Sequence, residues 1–277
     1  MTRTRSFLLA LVLCVMPPIS PAEVADDDID LLLKLAGVTD QVNRFPQLIK
    51  DGMRQAQLDE ALISQRDFSA MLIRTDDTIV PEEILQEVRH ALQKALSEED
   101  IERLLAWYRS DLGRQITALE ARAGMPEAVA QMEGLASDLL EESERVEFAQ
   151  RIDRIVGATE LTVNIQEYTG VAVFSAITMA LRPDSAYEEI ARFRKQMADM
   201  RSMFREPTER MVIASFVYTY RPLDAAELEE FEAFLRRADT MRFNRTVVEG
   251  LGRGLGRSID SWAQALAMIF TQREQQI

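Results

Sequence analysis

The sequence predicts an all-α protein built from two tandem multi-helix units, packed as a helical array or bundle. Between the prolines, apolar residues recur every three or four positions, which is the spacing of one buried helix face. Strictly alternating runs rich in Val, Ile and Thr, which would indicate strands, do not occur in it. Two short segments also recur about 120 residues further along the chain, which indicates an internal repeat.

Residues 1–22 are predicted to be a secretory signal peptide. Arg3 and Arg5 form its positive end, Phe7 to Met16 is its apolar stretch, and Ser20 to Ala22 is a small-residue cleavage site. The apolar stretch is too short for a bilayer core of about 30 Å, which takes about 20 residues to span. We therefore expect cleavage after Ala22, a periplasmic location and no transmembrane span in the mature chain.

Cleavage changes the charge and the cysteine content. The chain carries 32 basic and 46 acidic residues, a net charge of −14, and loss of the two arginines takes this charge to −16. Cleavage also removes Cys14, the only cysteine, so the mature protein has no disulfide and no cysteine-based metal site. An acidic balance argues against nucleic acid as a partner, and against binding anionic lipid through charge.

The helical pattern is clearest from Ser97 to Glu120. Its first four residues, Ser97 to Asp100, resemble a capping box, in which the hydroxyl accepts from first-turn N–H groups. Glu99 and Arg103 are four residues apart, the spacing of a supporting ion pair. One continuous face is expected to point toward a core, and it consists of Ile101, Leu104, Leu105, Tyr108, Leu112, Ile116 and Leu119.

Two pairs of matching segments carry the internal repeat. Ala36 to Asp40 matches Val156 to Glu160 at an offset of 120, with a glycine expected to end one helix and a threonine to cap the next. Leu96 to Glu102 matches Leu223 to Glu229 at an offset of 127. The difference implies an insertion of about two helical turns in the second copy, which we expect within Glu188 to Arg210.

Beyond the second pair of segments, apolar residues of the two copies continue to align at the same offset of 127. Trp107 lies over Phe234 and Tyr108 over Leu235 in this alignment. The predicted organisation is a signal peptide (1–22), a first helical unit (23–142) and a second helical unit (143–277), joined around Glu141 to Arg145.

Leu96 to Asp100, followed by Leu104 to Arg114, resembles the core motif of a bacterial envelope family known as domain of unknown function twenty-fifty-nine. In that family a capped helix carries an aromatic pair followed by Ser-x-x-Gly, here Trp107-Tyr108 with Ser110 and Gly113. The second copy departs from the motif, because Ser110 becomes Arg237 and Gly113 becomes Thr240. The resemblance implies an exported helical protein, here in two divergent tandem copies, and implies no activity.

No complete catalytic or cofactor motif emerges from the sequence. His90 is the only histidine, and it is expected to have a structural or surface role on an amphipathic helix. Gly250, Gly252, Gly254 and Gly256 lack the lysine of a phosphate loop and the preceding strand of a dinucleotide site. They are expected to form either a flexible joint or a close helix approach, before Ser258 caps a last helix.

Two other stretches favour packing over function. Met197, Met200 and Met203 have thioethers that suit Cu(I), but the segment lacks any His or Cys to complete a site. Phe193, Met197, Met200 and Phe204 instead fit an apolar helix stripe. Leu161 to Leu181 is the least polar stretch of the mature chain, and its Glu167, amides and hydroxyls favour a core helix over a membrane span. We therefore expect no catalytic residues, no cofactor and no metal.

The resulting functional hypothesis is a non-catalytic binding or scaffold module for a protein or a cell-envelope component. Its partner would be another envelope protein or a second copy of the chain, and the predicted contact residues are Trp107, Tyr108, Ser110 and Gly113. Contact between helices inside the protein is an equally open interpretation of these residues. The alternative function is a cell-envelope hydrolase that uses carboxylates in a groove between the two units.

Overall fold

The computed structural model describes residues 26–60, 64–182 and 185–274, and within these residues every regular element is a helix. The all-α prediction is therefore confirmed for this part of the chain, whereas the predicted signal peptide lies outside the described residues. In chain order the helices are α1 (Asp26–Leu35), α2 (Val38–Asn43), α3 (Phe45–Glu60), α4 (Gln65–Thr78), α5 (Pro81–Ala95), α6 (Glu98–Tyr108), α7 (Asp111–Ala123), α8 (Pro126–Leu139), α9 (Ser143–Val156), α10 (Ala158–Leu181), α11 (Ala186–Asp199), α12 (Arg201–Tyr220), α13 (Ala225–Leu235) and α14 (Ala238–Glu274).

One large hydrophobic core joins helices from both ends of the chain. Buried side chains such as Ile29 and Leu104 belong to the same cluster as Phe234 and Leu251. The long helix α14 packs along α5, and α12 packs along α7 and α8. The predicted unit boundary at residue 142 falls between α8 and α9. Residues before and after it, such as Leu119 and Phe148, belong to this core. Helix α8 itself packs in a second, smaller cluster, in which Met132 and Leu139 lie with Ala149 and Val217.

A turn at Arg109 and Ser110 interrupts the predicted helix from Ser97 to Glu120 and divides it into α6 and α7. The Oγ of Ser110 accepts from the N–H of Gly113 at 3.0 Å and so caps α7, a role that its position inside an apolar stripe did not indicate. The capping box of α6 is confirmed, because Ser97 and Asp100 exchange both bonds. The apolar stripe continues across the break, with Tyr108 half-buried and its other members buried.

The four glycines near residue 250 lie inside one continuous helix, so the flexible joint and the cap at Ser258 were wrong. The close helix approach is confirmed at two of them. A Cβ atom on Gly250 would lie 2.8 Å from the Cα of Val88, and one on Gly254 would lie 2.9 Å from the Cα of Ile84. These two glycines let the backbones of α14 and α5 meet more closely than any side chain allows.

The short glycine motif of the repeat has a structural counterpart. Gly37 and Gly157 both have left-handed backbones, with φ of 73° and 70°, at the ends of α1 and α9. The threonines that follow lie inside the next helices, so the predicted threonine caps were wrong. Thr159 instead donates its N–H and its hydroxyl to the carboxylate of Asp153, both at 2.8 Å.

The apolar stretch from Leu161 to Leu181 forms most of α10, which packs against α11, α12 and α14. Among the described helices, none has both the length and the apolar character that a membrane crossing requires.

Candidate functional site at the seam between the two units

The ends of α6 and α13 meet through two aromatic rings. Trp107 and Phe234 stack with centroids 4.2 Å apart and planes within 9° of parallel. Tyr108 packs edge-on against Phe234 at 5.8 Å and against Phe243 at 6.4 Å. Residues 107 and 234 are separated by 127, the offset at which the sequence predicts matching positions of the two units. We call this junction the seam.

An open cavity of about 700 Å³ lies beside the stacked rings. It is bounded by the last turn of α6, the start of α14 and the turns that precede α7 and α14. We call it the seam cavity, and it is lined by Arg103, Ala106, Trp107, Ser110, Arg237, Ala238, Asp239 and Arg242.

Arg103 of α6 connects the two predicted units through carboxylates. Its Nε lies 3.1 Å from Oδ2 of Asp239, and its Nη2 lies 2.6 Å from Oδ1 of Asp100. Arg237 approaches Asp239 from the other side at 2.6 Å. Both aspartates are only 5% exposed, whereas Arg103 and Arg237 are 43% and 35% exposed, so the network pairs buried carboxylates with partly exposed guanidinium groups.

The two aspartates are held in the ionised form. Burial alone would raise the pKa of Asp239, but the guanidinium groups of Arg237 and Arg103 outweigh it and hold that pKa below its ordinary value. Burial acts in the same direction on Asp100, and the hydrogen bonds from Ser97, helped by Arg242 and Arg103, lower its pKa overall. Neither carboxyl group is therefore suited to donate a proton near neutral pH.

Arg242 is the least committed arginine of the cavity. Its Nη2 lies 3.9 Å from the nearer oxygen of Asp100, beyond hydrogen-bonding distance. Within the described part of the chain, its buried Nε–H has no hydrogen-bond acceptor. A guanidinium in this state favours an additional acceptor, since unpaired buried donors cost free energy.

The four predicted contact residues divide into an outer and an inner pair. Trp107 and Ser110 line the seam cavity. Tyr108 faces the aromatic cluster, and Gly113 is buried where a Cβ atom would lie 2.2 Å from the carbonyl oxygen of Trp107. Gly113 is thus required for the tight turn between α6 and α7, whereas only the outer pair is placed to reach a ligand.

The predicted ion pair of Glu99 with Arg103 is present. The other charged residues of the cavity, Arg237, Asp239 and Arg242, were missed in the sequence, although a signal for them existed. At the offset of 127, Arg237 corresponds to Ser110, Asp239 to Leu112 and Arg242 to Gln115. Three uncharged positions of the first predicted copy are thus charged in the second predicted copy. This change from uncharged to charged residues, rather than any known motif, is the sequence signal for the site.

A second polar contact joins α7 to the end of α12. The hydroxyl of Tyr220, a buried residue, donates to Oε1 of Glu120 at 2.7 Å. Burial of the carboxyl group raises the pKa of Glu120 to about 7, and the hydrogen bond from Tyr220 opposes this shift. The Glu120 residue as a whole is exposed.

The remaining sequence candidates lie apart from the seam. His90 is on the exposed face of α5. Met197 lies on α11 and Met200 directly follows it, and both are half-buried. Met203 is exposed. On α11, Phe193 stacks on Phe174 with ring centroids 4.0 Å apart. Across the described residues, no three His, Cys, Asp or Glu side chains converge on a point that could hold a metal ion.

The described residues define an all-α protein with an arginine-lined cavity at a seam in its core. Residues 82–142, which run from α5 to the turn after α8, match the family described as uncharacterized protein conserved in bacteria (DUF2059). The match covers most of α5 to α8 and confirms the resemblance for the first predicted copy; the second copy stays a prediction. No curated protein and no solved structure matches the chain.

Proposed function

We propose that this chain is an exported periplasmic protein that acts as a non-catalytic binding module, and that its ligand or partner binds at the seam cavity. The observation that carries the proposal is the pairing of a large open cavity with partly exposed arginines and an aromatic side chain. Arg and Trp are the side chains that most often dominate binding free energy at interfaces.

We also propose that the two units are divergent copies of one motif. The starts of α6 and α13, and those of α7 and α14, are both 127 residues apart. Asp224 and Glu227 form a capping box at the same offset from that of Ser97 and Asp100. Helix α1 packs on α6 as α9 packs on α13. The stack of Trp107 on its counterpart Phe234 is the contact expected on a local twofold axis.

A twofold arrangement gives the seam a functional meaning. Residues near such an axis are contributed by both copies, so a change in one copy makes the site asymmetric. The charges at positions 237, 239 and 242 have this effect, because the first copy carries Ser110, Leu112 and Gln115 at the equivalent positions. The first copy supplies Arg103 and Ser110 to the cavity, and the second adds Arg237, Asp239 and Arg242, so the polar groups of the site are unequal in the two copies.

Export is tested on the mature protein itself. Expression of the full chain, followed by fractionation and mass spectrometry, should give a periplasmic product that begins at Glu23. A cytoplasmic product that retains residues 1–22 would contradict the export proposal and leave the seam proposal unaffected.

Binding at the seam is tested by photo-crosslinking in cells. A photoreactive residue in place of Ala106, on the cavity wall, should give a discrete adduct with an envelope component or with a second copy of the chain. The same residue in place of the exposed Ala191 on α11 is the control. Equal adducts at both positions, or none at position 106, would contradict the proposal.

One observation favours the alternative of an envelope hydrolase. The raised pKa of Glu120 suits a general acid at neutral pH. A glycosidase also needs a second carboxylate, however. The pKa of Glu120 is raised by burial against the opposing hydrogen bond from Tyr220, and no second carboxylate contributes to the shift. Turnover of purified peptidoglycan that is lost in Glu120→Gln would support the hydrolase over the binding module.

A further inference from the structure

We propose that the seam cavity binds a single carboxylate carried by a ligand the size of a short peptide, and that Arg242 is the group that receives it. This inference rests on the proposed binding function and adds the chemistry of the ligand. It follows from the charge balance of the cavity, the partners of each arginine and the dimensions of the space.

The arginines at the cavity outnumber the buried carboxylates by one, so one positive charge is unmatched. Arg103, Arg237 and Arg242 face two buried carboxylates, those of Asp100 and Asp239. A third carboxylate, on Glu99, also contacts Arg103, but its side chain is 79% exposed and is screened by water. The three arginines, which are 35–43% exposed, and the two buried aspartates thus leave one unit of positive charge, which matches a ligand with one negative charge.

The hydrogen bonds show which arginine is available. Arg103 is shared among three carboxylates, and Arg237 makes two bonds to Asp239 at 3.2 and 2.6 Å. Arg242 has its nearest carboxylate oxygen 3.9 Å away and a side chain that is 40% exposed. A carboxylate that enters the cavity can therefore pair with Arg242 without displacing Asp100 from a hydrogen bond, because the two groups are 3.9 Å apart.

A carboxylate fits these groups better than a phosphate. A guanidinium can pair with either anion through two parallel N–H bonds. Phosphate esters carry about −1.5 to −2 at neutral pH, which exceeds the single unmatched positive charge and would repel Asp239. The ionised state of Asp239, whose carboxylate lines the cavity, thus selects against the more highly charged ligand.

The volume of the seam cavity suits a ligand larger than a free anion. The cavity of about 700 Å³ lies within the range of roughly 300–1,000 Å³ that holds small organic ligands. Ala106 and Trp107 give it an apolar wall, while Ser110 adds a hydroxyl-bearing side chain. A few peptide residues that end in, or carry, one carboxylate fill such a space and use both kinds of wall.

The test uses the full mature protein and two probes that differ in one group. N-acetyl-trialanine with a free C-terminal carboxylate is compared with the same peptide amidated at its C-terminus. Binding is followed by tryptophan fluorescence, because the other tryptophan, Trp262, is only 2% exposed and Trp107 lies on the cavity wall. A Trp107→Phe variant establishes that the change comes from this residue.

The free acid should bind saturably, and the amide should bind at least 10-fold more weakly. Arg242→Gln should lose the preference for the acid, and Arg242→Lys should retain part of it because the charge remains while the two-pronged geometry is lost. Arg245→Gln, at an exposed position of the same helix, is the matched control and should behave as the unmodified protein. Thermal melts establish that each variant folds.

Three results would overturn the carboxylate assignment: no saturable binding of the acid, equal binding of acid and amide, or tighter binding of inorganic phosphate. If crosslinking from position 106 still yields a specific partner in that case, the proposed binding function survives and only its ligand chemistry is wrong. If both experiments fail, the seam is a structural contact.

Discussion

Trp107 and Phe234 lie at matching positions of the two predicted units and stack on each other with ring centroids 4.2 Å apart. In a homodimer, a residue that contacts its own equivalent lies on the twofold axis. Here both residues belong to one chain, so the contact ties the first unit to the second. The stability of the whole fold should therefore depend on this pair, and so should the shape of the adjacent cavity.

Replacing Trp107 with alanine should destabilise the protein without abolishing its fold. The indole is half-buried, so we expect a loss of about 2–3 kcal/mol, less than the roughly 3–5 kcal/mol typical of a fully buried aromatic residue. Urea denaturation measures the change. Trp107→Phe keeps the ring stack and should cost less than about 1.5 kcal/mol; equal losses for both variants would show that the stack contributes nothing.

Replacing Asp239 with asparagine should remove the charge that holds Arg103 and Arg237 together. Because both arginines are partly exposed, we expect a loss of about 1–3 kcal/mol, below the roughly 3–5 kcal/mol for breaking a wholly buried pair. Glu99→Gln is the control, and its change should be under about 0.5 kcal/mol because Glu99 is exposed.

The same aspartate predicts a pH dependence at the acid end. The folded-state pKa of Asp239 is below its ordinary value of 3.8, so its contribution to stability is present above that value and is lost as pH falls through the folded pKa. The free energy of unfolding of the unmodified protein should fall more steeply in acid than that of Asp239→Asn. Parallel curves would contradict the ionised pairing.

Glu120 predicts the opposite pH dependence in a higher range. Its pKa is raised from an ordinary 4.5 to about 7, so between these values the folded chain holds a proton that the unfolded chain releases. Stability from this group is present below pH 4.5 and is lost as pH rises toward 7. In Glu120→Gln this decline should disappear, as shown by unfolding free energies measured at several pH values.

Replacing each of the four glycines of α14 with alanine should change the stability of the protein in opposite directions at alternate positions. Gly250→Ala and Gly254→Ala introduce a Cβ atom within 3 Å of the α5 backbone and should each cost about 1–3 kcal/mol. At Gly252 and Gly256, no described atom of a neighbouring element lies within 4 Å of such a Cβ. Alanine there should stabilise the helix by about 0.5–1 kcal/mol. Four variants with similar melting temperatures would contradict the close approach of α14 and α5.

Local patterns in the sequence predicted much of the fold. The apolar spacing identified the helical class, and Ser97 with Asp100 identified the start of α6. The break at Ser110 was missed because the apolar stripe runs through it without interruption, while the cap depends on one hydroxyl. The continuity of α14 was missed because four glycines are weak helix formers, and the contact with α5 explains only two of them, Gly250 and Gly254.

The candidate site was predicted only in part, and for a physical reason. Trp107 and Ser110 belong to one recognisable motif, whereas Arg103 and Asp239 are 136 residues apart and meet only after folding. Composition also concealed the arginines, since the chain as a whole carries a charge of −14. Comparing the two predicted copies position by position would have revealed the charged substitutions, because the cavity lies where the copies meet.

Nitrogen-15 NMR of the full mature protein, titrated with N-acetyl-trialanine, tests binding at the seam most directly. If the carboxylate binds there, the largest shifts will be in the indole N–H of Trp107, the backbone N–H groups of Ser110 and Arg237 and the guanidinium of Arg242, with saturation. Shifts that concentrate instead at the apolar cavity between α10 and α14, lined by residues such as Leu161 and Gly252, would contradict it, as would a spectrum that the peptide leaves unchanged.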